Sequence, residues 1–200
     1  GRGAAVRSAR NPAVQAARKR GRPPSVVRPE SLLEPRGNDL WHGVLDGLER
    51  GWAHIERATR DGQDREARLN LMSASMQGAM AFQKGLGAVH ALTHPLGAIR
   101  QLNLHHGTLN AVLMPAVLRF NRPAIGDKWD RLTAFFGQAP DAAVSELNAA
   151  IGMPKGLGAM GVTDEMLDHV SQDALKDHCH ATNPRIASAA DYRQILRDAF

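Results

Sequence analysis

Residues 85–98 read GLGAVHALTHPLGA, an apolar run that opens on glycines and is interrupted by Pro95. The run predicts a short helix over Gly85–Leu96, because a proline disfavours continuation of the helix beyond it. His90 and His94 are four residues apart, so on this helix they share one face, with Cβ atoms about 5–6 Å apart. Two imidazoles placed in this way can share a metal ion, or one can bind the ion while the other reaches towards a substrate.

The surroundings of His90 leave a second interpretation open. The residues on either side of it are apolar, and a histidine buried among them could instead bond a backbone carbonyl. Spacing alone does not decide between a metal ligand and a core histidine. Further along the chain, His105-His106-Gly107 supplies another imidazole immediately before the next predicted helix.

Helical periodicity dominates the chain from Asn38 to the C terminus. Apolar residues recur there at three- and four-residue intervals, and alternation with a period of two is nowhere sustained. We therefore predict an all-α fold, a helical bundle of antiparallel type with short loops. The other predicted helices span residues 39–60 (capped by Asp39), Asp64–Gln83, Leu109–Phe120 (capped by Thr108), Asp127–Phe136, Asp141–Ile151, Thr163–Lys176 and Ser188–Phe200.

One face of the helix predicted over Asp64–Gln83 is rich in methionine. It carries Leu69, Met72, Met76 and Met80 at helical spacing. Methionine adapts its shape to irregular gaps between packed elements, so we predict that this face belongs to the core rather than to a metal site.

The basic character of the chain is concentrated in residues 1–38, called the leader below. The leader has nine Lys/Arg and two Glu, whereas residues 39–200 have 16 basic and 18 acidic groups. With five prolines and no aromatic residue, the leader is predicted to be disordered, because it cannot bury enough apolar surface to offset the entropy of ordering. A phosphate-binding or nuclear-targeting cluster at residues 18–22 and an organelle transit peptide are the alternatives.

Composition also limits the class of protein. No run approaches the roughly 18 uninterrupted apolar residues of a membrane span, and the single cysteine, Cys179, excludes a disulfide scaffold and a cysteine-rich zinc module. We therefore expect a cytoplasmic protein without a membrane partner. The slight acidity of residues 39–200 also argues against nucleic acid as a partner of the body.

Three segments carry a resemblance to a known family. The runs GAMAFQKGLGAVHALTHPLGA at 78–98 and HHGTLNAVLMP at 105–115 look like the signature of iron-containing (group III) alcohol dehydrogenases. The run DHCHATNPR at 177–185 resembles that family's C-terminal motif, and the similarity extends over Leu40–Phe200. The resemblance implies the helical, dehydroquinate synthase-like C-terminal domain of this family for residues 39–200. That domain packs against an N-terminal α/β domain that binds NAD(P), and a divalent metal sits in the cleft between them.

The resemblance also implies roles for individual residues. His90 falls on the third metal ligand and His106 on the fourth, whereas His105 is the weaker choice for a ligand. His94 matches a non-ligand histidine near the nicotinamide and the substrate, which makes it the catalytic candidate. Cys179 matches a position near the substrate pocket, and an ordinary small core residue is the alternative there.

The implied chemistry is the oxidation of a small alcohol, or the reduction of the corresponding aldehyde. The metal, Fe²⁺ with Zn²⁺ as the alternative, would act as a Lewis acid on the alcohol oxygen. The nicotinamide of NAD(P) would take the hydride. His94 could relay the alcohol proton to solvent, because an imidazole titrates near neutral pH.

Two features depart from the family pattern. No glycine-rich phosphate-binding segment precedes the helical body. The family's first two ligands form an Asp-x-x-x-His motif, whose place counted back from His90 falls in Gly21–Glu30, where there is neither aspartate nor histidine. The nearest approach, Asp39 and His42, has the wrong spacing by one residue. We therefore expect a truncated chain that is inactive alone, and a frameshifted or mispredicted start would explain the leader.

The sequence thus supports one main hypothesis and two alternatives. The main hypothesis is the C-terminal part of a metal- and NAD(P)-dependent alcohol dehydrogenase. The first alternative is a non-catalytic helical interaction module whose basic leader binds nucleic acid or an acidic partner. The second is complementation by a separately encoded cofactor domain. An apolar face left uncovered by a missing domain would also favour homo-oligomers.

Overall fold

The computed structural model describes residues 38–200, with side chains from Gly43 onward except those of Gln83 and Lys84. Asp39–Phe200 form one compact unit. The expectations for the leader fall on residues 1–37, outside this range. Within residues 38–200 all regular structure is helical and there is no strand, which confirms the all-α prediction. No helix of this part of the chain is both long and apolar enough to cross a membrane.

The helix bounds follow the predicted pattern closely. The helices are α1 (Asn38–Arg60), α2 (Arg65–Met80), α3 (Ala88–Gly97), α4 (His106–Asn121), α5 (Asp127–Phe136), α6 (Pro140–Ala150), α7 (Asp164–Lys176) and α8 (Ala189–Asp198). Short 3₁₀ turns lie at Ala81–Lys84, Arg100–Leu102, Arg122–Ala124, Gly158–Met160 and His180–Thr182. α1 already includes Asn38, so the prediction that Asp39 caps this helix is wrong.

The hydrophobic core lies between α3, α4, α7 and α8, with α3 packed against both α4 and α7. Its largest fully buried side chains are Leu92, Leu96, Leu109, Leu113, Leu157, Leu167, Tyr192 and Leu196. Each buried leucine contributes roughly 1.5–3 kcal/mol relative to an exposed one. The apolar residues of α3 are therefore buried against α4 and α7, and the remaining side of this helix is available for polar groups.

α1 and α2 form an antiparallel hairpin that is joined by polar side chains. The carboxylate of Asp46 accepts hydrogen bonds from Nε of Arg50 at 2.6 Å and from Nε2 of Gln77 at 2.7 Å. The ring of Trp52 on α1 packs against Phe136 on α5, with centroids 4.6 Å apart. The hairpin is thus held internally by hydrogen bonds and contacts α5 through an aromatic pair.

The prediction that the methionine-rich face of α2 is core is wrong. Leu69, Met72, Met76 and Met80, called the Leu/Met stripe below, have 67%, 69%, 62% and 55% of their surface exposed. The reason lies in the opposite face of α2. There Ala67 is fully buried and Gln77 lies so close to Gly47 that a Cβ at the glycine would stand 2.9 Å from Oε1 of Gln77. The small residues bring the helices together on that side, so the stripe faces away.

Candidate active site

Three imidazoles meet where α3 approaches the first residue of α4. The ring centroids of His90 and His106 are 5.2 Å apart, and that of His94 lies 5.8 Å from each of the other two. The rings of His94 and His106 are nearly parallel, with 15° between their planes. The structure therefore brings together the three histidines that the sequence analysis selected, from two segments separated by a turn.

His90 is half-buried, and its surroundings change its pKa. Burial lowers the pKa of His90, and the neighbouring imidazoles of His106 and His94 lower it further because a charged ring there would be repelled. A lowered pKa keeps His90 neutral at physiological pH. The neutral imidazole is the form that binds a metal ion, so the environment suits His90 to a ligand role.

His94 is paired with a carboxylate from a distant part of the chain. Its Nδ1 lies 2.7 Å from Oδ2 of Asp177, and the other carboxylate oxygen of Asp177 accepts the backbone N–H of Cys179 at 2.8 Å. Burial would raise the pKa of Asp177, but the hydrogen bonds from Cys179 and His94 outweigh it and leave the pKa below its ordinary value. The ionised carboxylate holds a proton on Nδ1 of His94, which leaves Nε2 as the free nitrogen.

His105 caps the helix that His106 begins. Its Nδ1 accepts the backbone N–H of Thr108 at 3.3 Å, and His105 is the N-cap of α4. The prediction that Thr108 caps this helix is therefore wrong, since an imidazole nitrogen takes the acceptor role that a hydroxyl was expected to fill. His106 is the better-placed ligand candidate of the two, because its ring lies beside those of His90 and His94.

The start of α3 is fixed by Asn183 from the C-terminal motif. Asn183 is 5% exposed, and its Oδ1 accepts the backbone N–H of Ala88 at 3.0 Å. Its amide also pairs with that of Asn121 at the end of α4, at 2.7 and 3.1 Å. One buried amide thus links the first turn of α3, the last turn of α4 and the loop after α7, and it sets the position of the histidine helix.

Two glycines allow this loop to come close to α3. Gly85 and Gly87 have φ values of +95° and +79°, where side chains are strongly disfavoured. A Cβ at Gly85 would overlap the side chain of Thr182, and one at Gly87 would stand 2.9 Å from Oδ1 of Asn183. These positive φ values also explain why α3 begins at Ala88 rather than at the predicted Gly85.

Cys179 and His178 complete the environment of the cluster. Cys179 is 1% exposed, and burial raises the pKa of its thiol to about 11, with a further contribution from Asp177. Its Sγ lies 3.4 Å from Nε2 of His178, whose ring stacks beside His94 with centroids 5.8 Å apart. Cys179 is thus a buried thiol, as the core interpretation expects, and also a neighbour of the site.

Asp177 and His178 are the site residues that sequence reasoning missed. They stand more than 80 positions from His94, and no periodic pattern connects segments so far apart. The available signal was composition, because Asp177-His178-Cys179-His180 places four potential ligands in succession. Asp39 and His42 are the nearest match to the family's first two ligands, and the structure does not describe their side chains.

Comparison with known proteins gives a consistent picture. Residues 51–200 match the family described as "Fe-containing alcohol dehydrogenase family, C-terminal". The chain is 57% identical over 183 residues to 4-hydroxybutyrate dehydrogenase of Cupriavidus necator, covering 85% of this chain and 48% of that protein. It is 31% identical to NAD-dependent methanol dehydrogenase of Bacillus methanolicus, covering 73% of this chain and 41% of that protein.

Solved structures agree with the sequence comparisons. A crystal structure of 1,3-propanediol oxidoreductase superposes with a TM-score of 0.77 at 28% identity, covering 81% of this chain and 45% of that one. An alcohol dehydrogenase from Oenococcus oeni gives 0.74 at 26% identity, with 80% and 44% covered. The chain therefore spans about half the length of the relatives it matches.

Proposed function

This chain belongs to the iron-containing alcohol dehydrogenase family, and we propose that residues 39–200 are the metal-binding part of an NAD(P)-dependent enzyme acting on a small alcohol or aldehyde. The observation that carries the proposal is the convergence of His90, His94 and His106, with His94 paired to Asp177. The 57% identity to a 4-hydroxybutyrate dehydrogenase makes 4-hydroxybutyrate the first substrate to test.

His90 and His106 would hold the metal. The donor chemistry fits, because His90 is kept neutral by its surroundings and the ring of His106 lies 5.2 Å from that of His90, centroid to centroid. Two imidazoles are half of a four-ligand set, so these residues alone would hold a divalent ion weakly. Iron is the family's metal, and zinc suits imidazole ligands as well.

His94 would move the proton of the reaction. When bound, the metal polarises the alcohol oxygen as a Lewis acid and NAD(P) takes the hydride. Nε2 of His94 accepts the hydroxyl proton, because the Asp177 carboxylate keeps Nδ1 protonated and stabilises the charged ring that results. The side chain of His94 is 36% exposed, so water can take the proton from it afterwards.

We expect the 200-residue chain alone to be inactive. Residues 38–200 contain helices only, and a dinucleotide-binding domain of the doubly wound type needs a parallel sheet. The matched relatives are about twice as long as this chain. The nicotinamide and the remaining ligands would therefore come from another part of the complete enzyme.

A chimera tests this function. Residues 39–200 are joined to the N-terminal half of the C. necator relative, and NAD(P)-linked oxidation of 4-hydroxybutyrate and metal content are measured. We expect activity that requires Fe²⁺, loss of metal in His90→Ala and His106→Ala, and retention of metal in His94→Ala with a rate lower by about 10²–10⁴-fold.

The control for this experiment is His169→Ala, a histidine on α7 that is exposed and distant in sequence from the cluster. It should leave both metal content and rate unchanged. A folded chimera whose His94→Ala variant turns over as fast as the parent would remove His94 from the mechanism. Metal binding that survives both His90→Ala and His106→Ala would remove the ligand assignment.

A further inference from the structure

Four potential metal ligands converge beside the histidine cluster. One ligand atom each from His94, Asp177, His178 and Cys179 lies within 4.8 Å of every other. We propose that these four residues bind a Zn²⁺ ion at a site separate from the His90–His106 pair. The proposal does not depend on the dehydrogenase function, because it concerns binding by the chain as it stands.

The spacing of the ligand atoms is close to that around a tetrahedral ion. With Zn–N near 2.0–2.1 Å and Zn–S near 2.3 Å, ligand atoms around zinc stand roughly 3.3–3.6 Å apart. With one atom from each residue, two separations are 2.7 Å from Nδ1 of His94 to Oδ2 of Asp177 and 3.4 Å from Sγ of Cys179 to Nε2 of His178. The Cys179–His178 separation already matches that spacing, and His94 and Asp177 would move apart by less than about 1 Å to admit the ion.

The backbone of the loop is already organised around this site. Asp177 accepts the backbone N–H of Cys179 through its side chain and that of His180 through its carbonyl, at 2.8 and 3.0 Å. The carbonyl of Cys179 accepts the Thr182 hydroxyl at 3.0 Å. Asp177 and Cys179 are thus fixed before an ion arrives, and the side chain of His178, 81% exposed, is the one free to turn towards it.

The donor set selects the class of cation. A thiolate, two imidazoles and one carboxylate oxygen are ligands that favour Zn²⁺ over the oxygen-seeking Mg²⁺ and Ca²⁺. In the metal-free chain, burial raises the pKa of Cys179 to about 11, so its thiol is protonated at neutral pH. Zinc binding would displace that proton, as metal coordination to cysteine does in general.

The site would share one residue with the proposed catalytic machinery. Zinc would occupy Nδ1 of His94, the atom that otherwise faces Asp177. A bound ion would therefore take away the hydrogen bond that orients His94. This predicts that occupation of the zinc site opposes the proton-transfer role of the same imidazole.

The test uses the full 200-residue chain and Co²⁺ as a coloured substitute for Zn²⁺. We expect Co²⁺ to produce a thiolate-to-metal charge-transfer band in the near ultraviolet, and Zn²⁺ to remove it by competition. Cys179→Ser should abolish the band. His178→Ala should weaken Co²⁺ binding at least about tenfold, while His90→Ala and His169→Ala should retain the band.

Two results would overturn the proposal. The first is the absence of a thiolate band, or a band that is equally strong and equally tight in His178→Ala. The second is metal binding that is lost in His90→Ala and kept in Cys179→Ser, which would assign the ion to the His90–His106 pair. Because His178 is exposed, its alanine variant should fold normally, so the test does not depend on the buried Cys179.

Discussion

At the scale of single residues, hydrogen-bonded pairs of side chains and backbone groups position the site. Asp177 is the clearest example, since one carboxylate oxygen meets the backbone of Cys179 and the other meets His94. Its side chain is only 14% exposed, so both hydrogen bonds are shielded from competing water. Asp177 therefore joins the stability of the loop after α7 to the orientation of the catalytic candidate.

Replacing Asp177 by asparagine should flatten the acid side of the stability profile. Burial alone would raise the pKa of Asp177, and the bonds from Cys179 and His94 hold it below its ordinary value. A carboxylate with a lowered folded-state pKa stabilises the fold above its unfolded pKa, and this is lost as the pH falls through the folded value. The free energy of unfolding should therefore fall more steeply below about pH 4 in the parent than in Asp177→Asn.

This difference is measured by urea unfolding at about every pH unit between roughly pH 3 and pH 7. Asp130→Asn, at an exposed position on α5, is the matched control and should follow the parent. Parallel acid limbs for the parent and Asp177→Asn would show that the Asp177 hydrogen bonds do not contribute to acid stability.

At the scale of elements, the contacts at the helix ends determine where the site residues lie. The periodic pattern was enough to predict α5 at its observed bounds and most other helices within a few residues. It could not predict that Asn183 accepts from Ala88 at the start of α3, because that bond spans 95 residues. Nor could it predict the exposed Leu/Met stripe, since which face of α2 is covered depends on the glycines of α1.

Alanine at Gly85 should be costly, whereas alanine at Gly97 should not. Gly85 has φ +95° and no room for a Cβ beside Thr182. Gly97 is the last residue of α3, and a Cβ there would have no neighbour within 4 Å outside its own helix. We expect Gly85→Ala to lower the free energy of unfolding by about 1–3 kcal/mol or more. Gly97→Ala should change it by less than about 1 kcal/mol in either direction.

Chemical denaturation of the two alanine variants, with metal binding as a second measurement, compares them directly. If the close approach of Gly85 to Thr182 positions α3, Gly85→Ala should also weaken metal binding at His90. Equal stability of both variants would mean that the approach of the C-terminal loop to α3 is looser than the contacts with Thr182 and Asn183 indicate.

At the scale of the whole molecule, the main feature is an uneven distribution of apolar surface. The core between α3, α4, α7 and α8 is closed, while the Leu/Met stripe and the nearby Phe82 are more than half exposed. A continuous exposed apolar stripe is typical of a surface that associates with another surface. The all-α body was predictable from periodicity, and this surface was not, because burial is a property of the assembled fold.

Replacing Met72 and Met76 by glutamine should reduce self-association without a loss of stability. Both side chains are more than 60% exposed, so their removal takes little buried apolar surface from the fold. Sedimentation velocity over a range of concentrations should show a higher monomer fraction for the double variant and an unchanged melting temperature. Identical association of the parent and the double variant would mean that the stripe is not the contact surface.

The long-range bonds around the site also have a consequence for synthesis on the ribosome. His94 and Asp177 are 83 residues apart, and Ala88 and Asn183 are 95 apart. At about 5–20 residues per second, Asp177 leaves the ribosome roughly 4–17 s after His94. During that interval α7, against which α3 packs in the folded chain, is still incomplete, so Leu92 and Leu96 on α3 remain open to chaperones before the site can close.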